Sequence, residues 1–351
     1  MAPDPDKLNE LLGKVVGDFG AAMSAALVSI GDRLGLYRAL AAGPADSAAF
    51  AKRAGIDERL GREWLLNQAS GGYITYDAST GTYSMTEEQR AAFADEGGPA
   101  FMLGGYNIIA SLHRDEPKVA EAFRNGKGVP WGAHDSCLFC GTERFFAATY
   151  RGSLVQSWIP ALPGVEAHLR AGALVADVGC GHGASTLVMA RAFPVSTFVG
   201  FDFHPASIEC ARERARASGL TNVRFEVADA AAFPAPEGGY DLVACFDCLH
   251  DMGDPVACAA RVHRALRPGG AWMIVEPAAG DTVAENLNPV GRVFSAASTM
   301  ICVPASQAFG GPALGACAGP KRVHEVIRTG GFSDVRLATS TPFNHVHVAL
   351  R

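Results

Sequence analysis

Leu174-Val-Ala-Asp-Val-Gly-Cys-Gly-His-Gly-Ala-Ser185 holds three signals in close succession. A Val-rich apolar run ends in Asp177, breaks into Gly179-x-Gly181-x-Gly183, and gives way over residues 184–192 to a helical pattern. That order predicts strand, glycine loop and helix. Glycine lets the backbone turn sharply and approach a ligand closely, while the free amides at the helix start face the same spot. A small polar ligand carrying a nucleoside suits such a loop. Glycine also serves tight strand-to-helix turns for purely steric reasons, so the loop alone decides little.

The sequel decides more. Thr197-Phe-Val-Gly-Phe-Asp202 predicts a second strand ending in an acid, where a βαβ unit sets a carboxylate against ribose hydroxyls. Val223-Arg-Phe-Glu-Val-Ala-Asp229 is a third strand closing on an acid, and Asp241-Leu-Val-Ala-Cys-Phe246 a fourth strand. Acids at the carboxyl ends of successive strands line one crevice, the place where open α/β sheets bind ligands. A helix over 255–266, a turn at Arg267-Pro-Gly-Gly270 and a fifth strand, Ala271-Trp-Met-Ile-Val-Glu276, follow. Next come a helical insert over about 283–302, a glycine-rich loop to Gly319, a helix over 321–328, and an antiparallel pair at Val335-Arg-Leu-Ala and His345-Val-His-Val-Ala-Leu350. His345 and His347 share a strand face at a spacing compatible with metal. Solvent-facing polar residues alternating with buried Val346 and Val348 is the preferred reading.

The spacing Asp177-x-Gly179-x-Gly181-x-Gly183 differs from the dinucleotide fingerprint Gly-x-Gly-x-x-Gly. It resembles the first motif of the class I S-adenosylmethionine-dependent methyltransferases, with a nicotinamide enzyme as the alternative that the loop spacing and the third acid disfavour. The resemblance implies an α/β fold: a Rossmann-like seven-stranded sheet behind an N-terminal, mostly helical winged-helix domain. It also implies that Asp177 and the backbone of Gly179, Gly181 and Gly183 hold the methionine moiety of S-adenosyl-L-methionine, Asp202 the ribose hydroxyls, and Asp229 with Ala230 the adenine. Phe203, Phe246 and Asp247 complete the expected donor site, and S-adenosyl-L-homocysteine is the expected product.

With 351 residues, 48% of them apolar, the chain is long enough for two domains. The formal net charge of −6 is spread along the chain, so nothing asks for a nucleic-acid or membrane partner. The acidic start Met-Ala-Pro-Asp-Pro-Asp is unlike a secretory signal, and no uninterrupted apolar run reaches membrane-spanning length, so a cytoplasmic protein is expected. Nine cysteines sit inside strand and helix patterns, which suits reduced thiols. Cys137/Cys140 and Cys245/Cys248 have zinc-type spacing, but the expectation is buried small apolar residues and no metal.

Before the sheet, residues 6–40 show two amphipathic helical patterns, the second over 21–37. A capped helix over 46–55, another over 57–68, Gly71-Gly72 and two β-prone runs at 73–76 and 82–85 make a winged-helix pattern. The helix that would read DNA offers Arg59 and Arg62 beside Asp57, Glu58 and Glu63, and the hairpin has no Lys or Arg. Phosphate contact needs positive charge, so dimerisation is the better use. Small-molecule O-methyltransferases of the plant caffeate type and their bacterial relatives look similar, which implies a homodimer through the N-terminal domain. The chain then divides into residues 1–98, a connector over 99–165 that in those families roofs the acceptor pocket, and 166–351. Trp131, His134, Phe145, Phe146 and Tyr150 are the connector's candidates to touch a small-molecule acceptor, with helix-packing core as the alternative.

Moving a methyl group to a hydroxyl requires alignment, exclusion of water and removal of a proton. Past the fourth strand stands Phe246-Asp-Cys-Leu-His-Asp-Met-Gly-Asp254, and His250 has the ordinary pKa for a base. Leu-His-Asp here matches the segment carrying the catalytic histidine of the caffeate-type enzymes, which implies His250 as base and Glu276 as its orienting carboxylate. The chain departs from that pattern: Met252 stands where the relatives have Trp, and 293–307 contains no second supporting acid. A histidine capping the next helix is the alternative role. Some bacterial C-methyltransferases use a similar His-Asp pair to hold iron, but 265–322 contains no histidine to complete such a site. O-methylation of an aromatic or polyketide-like metabolite is the leading expectation; transfer to N, S or C, or a donor-sensing DNA-binding regulator, are the alternatives.

Overall fold

A computed structural model describes residues 3–351. The chain separates into two compact units, Met1–His113 with Ser136–Thr149, and Arg114–Asp135 with Tyr150–Arg351. Compactness thus shares the connector between both units instead of leaving it a segment of its own.

The first unit opens with α1 (Pro5–Arg33), capped by Asp4, whose carboxylate accepts from the amide of Asp6 at 3.0 Å. One 29-residue helix replaces the two patterns expected. A Cβ at Gly13, Gly17 or Gly20 would meet nothing within 4 Å, so these glycines lie on an open helix surface. By length and composition α1 suffices to cross a membrane, despite the charges that interrupt its apolar run. Leu8, Leu11, Leu12, Val16, Phe19 and Met23 form an exposed apolar stripe along it.

Helices α2 (Leu36–Ala41), α3 (Ser47–Ala54) and α4 (Glu58–Ser70) follow, then a hairpin of β1 (Thr75–Asp77) and β2 (Thr82–Ser84) and helix α5 (Glu87–Phe93). Asp46 and Asp57 cap α3 and α4, as their spacing foretold. Tyr37, Phe50, Trp64 and Leu65 centre the core. Gly31 lets α1 approach it, since a Cβ there would lie 2.7 Å from the Trp64 ring. Arg59 and Arg62 are both ion-paired along α4, with Glu63 and Glu58. Helix α6 (Leu103–Asn125) begins in this unit, and α7 (Ser136–Thr149) completes it, with Arg144 bridging Asp32 at 2.7 Å.

The second unit holds helix α8 (Val165–Ala171) and a sheet built from β3 (Leu174–Val178), β4 (Thr197–Asp202), β5 (Val223–Val227), β6 (Tyr240–Phe246), β7 (Leu266–Pro277), β8 (Asp334–Ser340) and β9 (Asn344–Leu350). Helices α9 (Ala184–Ala192), α10 (Pro205–Ser218), α11 (Pro255–Ala265), α12 (Pro289–Ala297), α13 (Val303–Ala308) and α14 (Gly319–Thr329) connect them. The order is β5-β4-β3-β6-β7-β9-β8, with β9 antiparallel to both neighbours and the other pairings parallel. This is the seven-stranded α/β fold expected. The chain order reverses between β3 and β6, which makes the crevice above them the switch point. Strand β7 starts earlier than expected, absorbing Arg267-Pro-Gly-Gly270. The helical insert reaches Ala308 because a π-helical turn, Ser298–Cys302, joins α12 to α13.

The last strand corrects one reading. His347 is buried, since β9 lies inside the sheet, and its Nδ1 meets Nε2 of His324 on α14 at 2.9 Å. Burial and the two neighbouring imidazoles hold its pKa down to about 3, so it is neutral. His345 is partly covered and bonds Ser340.

Candidate functional site

All three glycines of the loop after β3 are left-handed, with φ of +78° at Gly179, +51° at Gly181 and +80° at Gly183. Gly179 and Gly183 also lack room: a Cβ would stand 2.6 Å from Cys248 Sγ at the first and 2.6 Å from the Phe225 ring at the second. Gly181 has space and owes its identity to conformation alone. Its amide donates to Asp202 Oδ2 at 2.9 Å, and the amide of His204 donates to Oδ1 at 2.9 Å. The acid at the end of β4 therefore shapes the loop as well as facing the crevice. Burial raises its pKa, against the pull of those two amides.

Asp177 is fully buried at the end of β3. Oδ2 accepts from Ser185 and Thr186 of α9 at 2.7 and 2.6 Å, while Oδ1 is buried without a hydrogen-bond partner. Burial pushes its pKa up to about 7, over the opposing hydroxyl bonds. An orphaned carboxylate oxygen beneath a bare-backbone cradle suits a cationic ligand head. Asp229 is exposed after β5 with Oδ1 on the amide of Ala231 at 2.7 Å, and Ala230 is half-buried beside it. Phe203 is 47% exposed and meets Phe309, which follows α13, edge-to-face at 5.9 Å.

Beyond β6, Asp247 holds a left-handed backbone with φ of +50°, uncommon for a residue with a side chain. Its amide donates to Val275 at 2.7 Å, and its Oδ1 accepts from Asn344 Nδ2 at 2.8 Å. Burial, followed by the neighbouring Asp247 carboxyl, lifts the Tyr150 phenol well above its ordinary pKa. The Tyr150 ring packs 5.2 Å from Phe246.

His250 is buried on a short helical turn, Leu249–Asp251. Its Nδ1 lies 2.5 Å from Glu276 Oε2 at the end of β7, and Glu276 Oε1 accepts the Leu249 amide at 3.0 Å. The carboxylate thereby fixes both ring and turn. Nε2 faces Cys302 Sγ at 3.3 Å. Burial alone would lower the pKa of the imidazole; Glu276 and then Cys302 outweigh it and hold it well above the ordinary value. Cys248 ties this segment to the cradle, donating to the Val178 carbonyl at 3.4 Å beneath Gly179. A histidine oriented by a carboxylate beside a glycine cradle can take a proton from a bound hydroxyl.

Of the connector residues, Trp131, His134 and Tyr150 fall in this unit, with Gly132 against the His204 ring. His134 is buried, its Nδ1 2.9 Å from Asp115 and its Nε2 without a partner. Phe145 and Phe146 belong to the other unit, packed edge-to-face at 5.2 Å on α7. Sequence reasoning missed Cys302, Asn344, Asp115 and Phe309, which no local spacing links to the motifs. Ser185 and Thr186 were findable, as hydroxyls in the first turn of the helix that follows the glycine loop.

The methyltransferase domain family matches residues 169–331, and the Rv2258c-like winged HTH domain family matches residues 22–94. Among curated proteins the chain is similar to 27-O-demethylrifamycin SV methyltransferase of Amycolatopsis mediterranei, 34% identical over 131 residues (35% of this chain, 48% of that protein). It is also similar to trans-aconitate 2-methyltransferase of Methylobacterium radiotolerans, 34% identical over 146 residues (42% and 51%). The chain thus spans about half the length of these relatives. Human N-acetylserotonin methyltransferase, solved with S-adenosylmethionine, shares the fold with a TM-score of 0.74 at 19% identity, covering 100% of this chain and 99% of that one. Mitomycin 7-O-methyltransferase does so with 0.68 at 18%, covering 99% and 100%.

Proposed function

From a methyltransferase domain joined to an N-terminal winged-helix domain, we infer that this chain is an S-adenosylmethionine-dependent O-methyltransferase acting on a small hydroxylated metabolite. The observation that carries the reading is the His250–Glu276 pair, which abuts the glycine cradle through Cys248. The donor, when bound, supplies a methyl group already activated on a sulfonium. Asp177 Oδ1, the backbone of residues 179–183, Asp202, Asp229 with Ala230, and the rims at Phe203, Phe246 and Asp247 would hold it, leaving the homocysteine form as product.

His250 Nε2 would take the acceptor's hydroxyl proton, and Glu276 stabilises the imidazolium through Nδ1. A hydroxyl needs that base; a neutral amine does not, which favours O over N. Trp131, His134 and Tyr150 are the candidate acceptor contacts within the catalytic unit. A small-molecule acceptor methylated on oxygen is in line with the name of the 27-O-demethylrifamycin SV methyltransferase, and an aromatic or polyketide-like one is the class we propose.

The exposed stripe on α1 supports a homodimer through the N-terminal unit, and the internal pairing of Arg59 and Arg62 speaks against phosphate binding by α4. Nine unbridged cysteines suit the reducing cytoplasm. The test is calorimetry with S-adenosylhomocysteine, then a screen of hydroxylated aromatics and thiols with a radiolabelled methyl donor. Binding lost in Asp202→Ala and label on oxygen support the reading; no heat of binding sinks it.

A further inference from the structure

Among the described residues, the group on the outer nitrogen of the proposed base is Cys302, a thiol in place of a carboxylate. A π-helical turn between α12 and α13 aims it there, the kind of helix irregularity that collects at functional sites. Its Sγ stands 3.3 Å from His250 Nε2, whose ring is fixed by Glu276 at 2.5 Å from Nδ1. With Nδ1–H donated to Glu276, the neutral ring accepts the thiol proton at Nε2, and the imidazolium that results donates from Nε2 to the thiolate. Thiol, imidazole and carboxylate in this sequence reproduce the relay of a nucleophile, its base and the orienter of that base.

We infer that Cys302, His250 and Glu276 form a thiol-activating triad, which makes Cys302 a modification site for small thiol-reactive electrophiles such as thiosulfonates and low-molecular-weight disulfides. The reaction balances without an added redox partner. His250 takes the thiol proton, the thiolate sulfur attacks the electrophilic sulfur, a new S–S bond forms, and the sulfinate or thiolate leaves with the bonding pair. The modified side chain then covers Nε2, so the base is blocked. Cys302 is 7% exposed, buried enough to be held in geometry yet not sealed.

The other ionisable groups around the imidazole are Asp247 and Asp251 of its own segment and Cys317 of the loop before α14. Among the described residues, Glu276 sits on Nδ1 of the ring and Cys302 on Nε2. The inference shares its histidine with the proposed base but does not depend on methyl transfer, since the test uses neither donor nor acceptor.

The native full-length protein is treated with methyl methanethiosulfonate, and the labelling rate of each cysteine is read by peptide mass spectrometry. Exposed Cys140 is the internal control. Cys302 should label roughly a hundredfold faster in the wild type than in His250→Gln, the lower range of what a positioned base contributes. Glu276→Gln should fall between, and Cys140 should react alike in all three. Equal Cys302 rates in wild type and His250→Gln overturn the triad, as does a Cys302 that labels only in denaturant. Should His250→Gln fail to fold, the Glu276→Gln comparison decides alone, with an unchanged rate counting against the triad. A methylation screen that fails while Cys302 labels as described would sink the O-methyltransferase reading and leave this one standing.

Discussion

Asn344, the first residue of β9, donates through Nδ2 to Asp247 Oδ1 at 2.8 Å and so ties the late part of the chain to the tip of β6. Asp247 needs such support because its backbone sits in the left-handed region. Asn344→Ala should therefore lower thermal stability by about 1–2 kcal/mol, the cost of a lost buried hydrogen bond with a partner left unsatisfied. S-adenosylhomocysteine affinity should weaken with it, read by calorimetry. Unchanged affinity would remove Asp247 from the donor site.

His250 and Glu276 separate chemistry from binding. His250→Ala should cut kcat by about 10²–10⁴ for a hydroxyl acceptor and leave S-adenosylhomocysteine affinity essentially unchanged. The pH dependence has a definite sign. Glu276 and Cys302 raise the pKa of His250, and only the unprotonated ring is a base, so kcat/KM should rise with pH through that elevated value. Glu276→Gln removes the larger raising influence and should move the acid limb to lower pH.

Asp177 makes the fold pH-sensitive in an unusual direction. Its pKa is about 7 in the fold against an ordinary value of 3.8, so the native state binds a proton that the unfolded chain does not between those limits. Stability from this group is present below pH 4 and lost as pH rises toward 7, at about 1.4 kcal/mol per pH unit at most. Asp177→Asn should flatten that decline in urea unfolding at pH 5 and pH 8. A cationic donor head should reverse the penalty, so donor affinity should rise over the same window.

The three loop glycines should rank by crowding. Gly181→Ala meets open space and should cost about 1 kcal/mol for its left-handed backbone. Gly179→Ala and Gly183→Ala add a clash with Cys248 or Phe225 and should cost more in thermal unfolding. Equal losses at all three would mean that conformation, and not close approach, selects glycine throughout.

What the sequence could reveal followed the range of its signals. The five parallel strands were legible because each is a local apolar run, and the closeness of His250 to Glu276 because one follows β6 and the other ends β7, its neighbour in the sheet. Helix α1 read as two pieces because the second apolar pattern, 21–37, runs across the end of α1 at Arg33 into α2. His347 looked solvent-facing because its cover, His324, comes from another element. Cys302 was invisible for a similar reason: one residue of π-helical offset turns it toward Nε2, and no spacing rule encodes that offset.

The place of β9 has a bearing on how the molecule forms. It follows β8 in the chain but stands between β8 and β7, and only residues 341–343 separate β8 from β9, so these two pair as a local hairpin. The non-local step on this side of the sheet is the docking of β9 against β7, which joins distant segments. His345 lies opposite Glu276 in the register and Asn344 opposite Pro277, so the wall behind the carboxylate is raised by that non-local step. A chain caught before that step would already have its glycine loop but no finished seat for the histidine.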